Sequence, residues 1–162
     1  MKYFYMLCGL PCTGKSTWAN IFLEANKSSK IKVISSDDIM EMIGYKFNMT
    51  YDEVYNNMTY SFCERMLFQL APTIFEQNNI VIWDQVNLTV KSRIRKLNLV
   101  PDDYMKIAVP FTAWDADLHK SSLEYRSRVK RKTIPDDVVK VMANAYVPPS
   151  KLEGFDFVAK AN

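Results

Sequence analysis

The run Gly9-Leu10-Pro11-Cys12-Thr13-Gly14-Lys15-Ser16-Thr17 constrains this chain more than any other feature. It satisfies G-x-x-x-x-G-K-[ST], a loop whose glycines turn the backbone tightly enough for successive N–H groups to converge on phosphate oxygens. Lys15 then sets a positive charge on the β- and γ-phosphates of a nucleoside triphosphate, and the Ser16 hydroxyl is suited to ligate magnesium. Gly9, Cys12, Thr13, Gly14, Lys15, Ser16 and Thr17 are the candidate nucleotide contacts. By average composition such a pattern arises by chance in a chain this long on the order of half a percent of the time. An apolar run at 3–8 precedes it and a helical pattern at 15–25 follows, as a phosphate loop between strand and helix requires.

The rest of the chain reads the same way. Apolar runs at 31–34, 80–83, 105–109 and, more weakly, 155–158 suit buried parallel strands. Helical patterns at 37–43, 51–77, 90–97, 115–125 and 136–146 separate them, with Pro72 expected to kink or split the long third helix. Alternating strand and helix predict right-handed βαβ units on a parallel sheet. With the phosphate loop and the basic stretch, the expected fold is a P-loop NTPase, three layers α/β/α around that sheet, with a basic lid. At 162 residues the expectation is one domain, with the lid near 126–135.

Composition narrows the class. No run of about 18 apolar residues is present, so no membrane span is expected. The apolar start could pass for a short signal segment, but it lacks a small-residue cleavage site and runs into the glycine loop, so it reads as a strand. Cys8, Cys12 and Cys63 form no even disulfide set, which favours a reducing, cytoplasmic setting. His119, the one histidine, reads as a surface helix residue. Net charge is only +3, but positives concentrate at 91–96 and 126–132. The second stretch is too dense for one helical stripe, so it is expected to repel itself and stay mobile without ligand. As a lid it would bring arginines over the γ-phosphate, with Arg126 and Arg131 the choices for contact.

A GTPase needs D-x-x-G and N-K-x-D motifs, and neither is present: Asp84-Gln85-Val86-Asn87 lacks the glycine and Asn26-Lys27-Ser28-Ser29 the aspartate. A small kinase remains, which needs a group to take or orient the acceptor's proton. Ser35-Ser36-Asp37-Asp38 follows the second strand, at the sheet edge that faces the phosphate crevice. Adjacent helical side chains diverge by about 100°, so one aspartate points at the acceptor, and Asp37 is favoured. Ser36 can instead simply cap a helix whose first turn prefers acids. Asp84 ends an apolar strand and can hold magnesium through water, bind the acceptor or meet a lid arginine; Asn87 is a further candidate pocket residue.

Together these motifs resemble the P-loop kinases typified by phage and bacterial polynucleotide 5′-hydroxyl kinases. The resemblance rests on Gly9 through Trp18, Ser35–Asp38, Asp84-Gln85-Val86-Asn87-Leu88-Thr89, the basic stretch ending at Pro135, and Glu153-Gly154-Phe155-Asp156. It implies ATP and Mg2+, with Asp37 as general base, Lys15 and lid arginines clamping the phosphates, and Asp84 organising the site. The acceptor implied is the 5′ end of a DNA or RNA, with a small-molecule kinase as the alternative. The segment 91–96 could track a phosphate backbone, and Tyr45, Phe47 or Tyr51 could stack on a terminal base. Two positions depart from the family's pattern: Cys12 stands where glycine is usual, and Met40 where an arginine usually meets the acceptor's phosphate.

Overall fold

The computed structural model describes residues 1–57, 60–112, 115–130 and 132–160. Strands β1 (Lys2–Cys8), β2 (Ile31–Ile34), β3 (Ile80–Asp84), β4 (Tyr104–Pro110) and β5 (Phe157–Val158) form one sheet in the order β2-β3-β1-β4-β5. Each pairing among them is parallel. Parallel neighbours need crossovers, which here are built from α1 (Lys15–Ala25), α2 (Ser36–Phe47), α3 (Tyr51–Asn57), α4 (Tyr60–Gln77), α5 (Val90–Leu97) and α6 (Ala116–Lys130). Helix α7 (Asp136–Ala145) and a short 3₁₀ turn (Lys151–Glu153) lead to β5. This is the three-layer α/β/α arrangement of P-loop kinases.

The central strand explains the layers. Successive side chains of β1 point to opposite faces, so Phe4, Met6 and Cys8 enter one core and Leu7, with Tyr5 beside it, the other. The first core is closed by Ile39 and Met40 of α2 and Cys63, Leu67, Ala71 and Phe75 of α4. The second is closed by Ala19, Trp18 and Phe22 of α1. Trp83 of β3, fully buried between Phe4 and Phe68, removes from water the largest side chain in the first core. Burying a ring of that size contributes about 2–3 kcal/mol.

Three details refine the sequence expectation. Within the 51–77 pattern, Pro72 lies inside α4 and does not split it. Pro72 faces solvent, where water can satisfy the carbonyl that lacks its N–H partner. Strand β5 is only two residues, because Phe155 turns into the first core, 4% exposed. Residues 126–130 do not stand apart as a free basic loop but complete α6.

Candidate active site

The phosphate loop joins β1 to α1 at the C-terminal edge of the sheet. Its root is tied down on both sides: Gly9 N donates to Val86 O at 2.9 Å and Phe111 N to Cys8 O at 2.7 Å. A Cβ on Gly9 would lie 2.5 Å from Phe111 O, so only glycine fits there. Gly14, with φ 92°, precedes the first turn of α1 in a left-handed conformation. Cys12 also lies in the left-handed region, with φ 60°, so the loop takes the same backbone turn despite its Cβ. Thr13 is buried and its hydroxyl donates to Leu10 O at 2.8 Å, bracing the loop from within. Ser16 and Thr17 are exposed on the first turn of α1.

Lys15 is buried, and its Nζ donates to Gly9 O at 3.0 Å and Leu10 O at 2.5 Å, arching over the loop. Burial brings its pKa down to about 8, while the charge of Asp84 pulls the other way. Asp84 ends β3 beside Leu7 of β1, and its Oδ2 accepts from Ser16 Oγ at 2.7 Å. Burial raises the Asp84 carboxyl; Ser16 and Lys15 oppose this. These two oxygen donors fit magnesium, a hard cation usually held by one or two protein oxygens together with phosphates and water.

Asp37 stands in the first turn of α2. Ser35, not Ser36, caps that helix, its Oγ accepting from Asp37 N at 3.2 Å. The two aspartates diverge as helical geometry requires. Asp38 lines an apolar groove with Val33, Ile39, Met42, Leu67 and Leu70. Asp37 turns the other way: Oδ1 accepts from Tyr51 Oη at 2.7 Å, and Oδ2 faces Arg126 Nη2 at 3.1 Å and Lys132 Nζ at 3.6 Å. Lys132 also pairs with Glu41 and lies 4.6 Å from the Tyr51 ring centre. Arg126 Nε is buried and has no hydrogen-bond partner among the described residues, so the guanidinium keeps donor capacity beyond Asp37. Arg131 lies outside the described residues.

Two residues here have contacts that the sequence did not signal: Tyr51, read there as a stacking candidate, and His119. Tyr51 meets Asp37 across 14 positions of chain, and burial together with the adjacent carboxylate raises its phenol far above the ordinary value, so it remains a donor. His119, read as a surface residue, brings its Nε2 to 2.8 Å from Pro11 O and ties α6 to the phosphate loop. Only the three-dimensional approach of α6 identifies it.

Other candidates do not join the site. Asn87 is 1% exposed, with φ 45°; its amide donates to Leu7 O and Gln85 O and accepts from Lys96. Every polar group of its side chain is thus spent bracing β1 and β3, which corrects its reading as a pocket residue. The segment 91–96 is corrected too. Arg93 and Lys96 are fully buried, Arg93 in a two-pronged pair with Glu153 at 2.6 and 2.8 Å, leaving Lys91 and Arg95 on the surface. Met40 is 1% exposed in the first core, so its position presents nothing to an acceptor. Tyr45 and Phe47, by contrast, are exposed on the last turns of α2.

Fold and site together define a P-loop kinase architecture: a phosphate loop, a strand-end acid beside its serine, and a second acid under basic side chains. The chain belongs to the AAA domain family, matched over residues 4–149. Its fold is shared with a putative kinase from Chloroflexus aurantiacus, at 16% identity and a TM-score of 0.70, covering 99% of this chain and 85% of that one. A chain of the Pnkp1/Rnl/Hen1 RNA repair complex matches at 16% identity and TM-score 0.63, over 89% of this chain and 43% of that one, so the present chain corresponds to under half of its length. Shikimate kinase from Bacteroides thetaiotaomicron matches at 13% identity and TM-score 0.51, over 96% and 85%. At these identities the likeness is one of fold. No helix among the described residues is long and apolar enough to cross a membrane.

Proposed function

We propose that this chain transfers the γ-phosphoryl group of ATP to a 5′-hydroxyl at the end of a DNA or RNA strand. The observation that carries this reading is Asp37, a partly exposed carboxylate reached by Arg126 at the same sheet edge as Lys15, Ser16 and Asp84. In this reading the backbone of Gly9, Cys12, Thr13 and Gly14, with Lys15 and Thr17, cradles the phosphates. Ser16 and Asp84 hold Mg2+, which when bound neutralises charge on the β- and γ-phosphate oxygens. Asp37 takes the acceptor's proton, and Arg126 moves from Asp37 to the charge spread over the transferring group. The acceptor side favours a chain end over an enclosed metabolite. Asp37 is partly exposed, with 34% of its side chain accessible, and α2 carries exposed Tyr45 two turns beyond it, about 12 Å away, within reach of a following base. The likeness to an RNA repair complex chain agrees with this.

Met40, buried and apolar, favours the second reading, a kinase for a nucleoside or other small metabolite, and the shared fold with shikimate kinase is compatible with it. Labelled ATP offered in parallel to a 5′-hydroxyl oligonucleotide, to mononucleosides and to no acceptor separates the two. Label on the oligonucleotide is expected; label on nucleosides alone would sink the leading reading. Asp37→Asn is expected to abolish transfer, by more than about 10²-fold, with ATP affinity kept.

A further inference from the structure

The two oxygens of Asp37 meet different kinds of group. Oδ2 faces Arg126 and Lys132, cations that phosphate oxygens attract. Oδ1 accepts from the neutral Tyr51 hydroxyl, which arrives from α3.

The Tyr51 side chain is held from several sides. Thr50 and Glu53 form reciprocal contacts at the start of α3: Thr50 N donates to Glu53 Oε2 at 2.7 Å and Glu53 N to Thr50 Oγ1 at 3.2 Å. This is a capping box, and it fixes the helix turn on which Tyr51 sits. Val54 anchors the same turn in the first core, fully buried. The Tyr51 ring runs nearly parallel to Tyr55, with centres 6.5 Å apart at 15°, and carries the Lys132 ammonium 4.6 Å from its centre. Its ring is already in contact with protein groups, and its hydroxyl is aimed at one carboxylate oxygen. This is the geometry of an orienting group, where stacking on a terminal base would need a free ring.

We propose that Tyr51 is a positioning residue: its hydroxyl occupies Oδ1 of Asp37 and leaves Oδ2 as the atom that accepts the acceptor's proton. The inference rests on Asp37 being the base. In the step, the acceptor's O–H proton passes to Oδ2 while its oxygen forms a bond to the γ-phosphorus. The bond from that phosphorus to the bridging oxygen breaks, and its electron pair stays on ADP. Oδ2 is free for this when Arg126 and Lys132 exchange it for phosphate oxygens. A carboxylate pinned at one oxygen loses less rotational freedom on reaching the reactive geometry, so the benefit falls on turnover and not on nucleotide binding.

Tyr51→Phe tests this, because it keeps the ring, the Tyr55 packing and the Lys132 contact and removes only the hydroxyl. We expect kcat to fall by about tenfold to hundredfold, with KM for ATP and directly measured ATP affinity within about twofold of wild type. A kcat within twofold of wild type overturns the proposal. So does a loss that appears mainly in KM for ATP, or that comes with a lowered Tm, since either marks a merely structural tyrosine. Asp37→Asn is measured alongside. If it retains wild-type transfer, the base assignment itself fails and no base remains to be positioned; if it is inactive while Tyr51→Phe is normal, only the present inference fails.

Discussion

Two short basic segments of this chain look alike on paper and end in opposite surroundings. Residues 91–96 carry four positives and residues 126–132 five, neither interrupted by an acid. In the first, Arg93 and Lys96 turn inward. Arg93 Nη1 donates to Asn87 O, Leu88 O and Val147 O, while the other donors of its guanidinium grip Glu153. Lys96 donates to Asn87 Oδ1 at 2.6 Å and packs near the Trp83 ring. In the second, Arg126 and Lys132 meet carboxylates at the rim of the phosphate site. A charge run therefore says where positive charge is available, and the partners brought by the fold decide whether it binds protein or ligand. The buried pair ties the β3–α5 connection to the chain's last turns. The rim pair rests on acids that a phosphate can replace.

The largest effect that tests this contrast belongs to Arg126. Arg126→Ala is expected to lower kcat for phosphoryl transfer by about 10³-fold, the scale of a transition-state arginine, while Tm changes by only a few degrees. A variant with normal turnover would move Arg126 to the structural side of the comparison. Next comes Arg93→Met, which strands the Glu153 carboxylate and three backbone carbonyls in the interior. Breaking such a buried pair costs about 3–5 kcal/mol, read as a lower midpoint in urea denaturation. An unchanged midpoint would show that the pair does not hold the fold, and the contrast would collapse from the other side.

The smallest effect is a pH dependence at Lys96, whose pKa is brought down to about 8 by burial, with Glu64 opposing. Below pH 8 this lysine is charged whether folded or unfolded, and folding carries the full desolvation cost. Between pH 8 and its ordinary 10.5 the folded chain releases the proton more readily than the unfolded one, so the penalty shrinks as pH rises. Lys96→Met removes that titration. Wild type should therefore gain stability relative to the variant from pH 8 to pH 10, by on the order of 1–2 kcal/mol. Denaturation of both proteins at the two pH values checks it; a gap independent of pH would mean that Lys96 is not held as the burial implies.

Local signals along the chain were enough to specify the phosphate loop, the parallel strands and the helices between them. Those signals are glycines at a fixed spacing, unbroken apolar runs for strands buried on both faces, and a 3.6-residue period for the crossovers. The sequence also marked Asp37 apart from Asp38, since adjacent positions on a helix must diverge, and the structure sends the two to different surroundings. The remaining roles came from contacts between distant parts of the chain. Asn87 carries the same amide whether it lines a pocket or braces two strands, and Lys96 and Leu7 settle which. Tyr51 and His119 gain their roles from α2 and the phosphate loop, groups far away along the chain. The inward turn of Arg93 depends on Glu153, 60 residues later. A polar side chain's role is set by whichever partner satisfies its hydrogen bonds, and for these residues the partner is brought by the fold rather than by the neighbouring sequence.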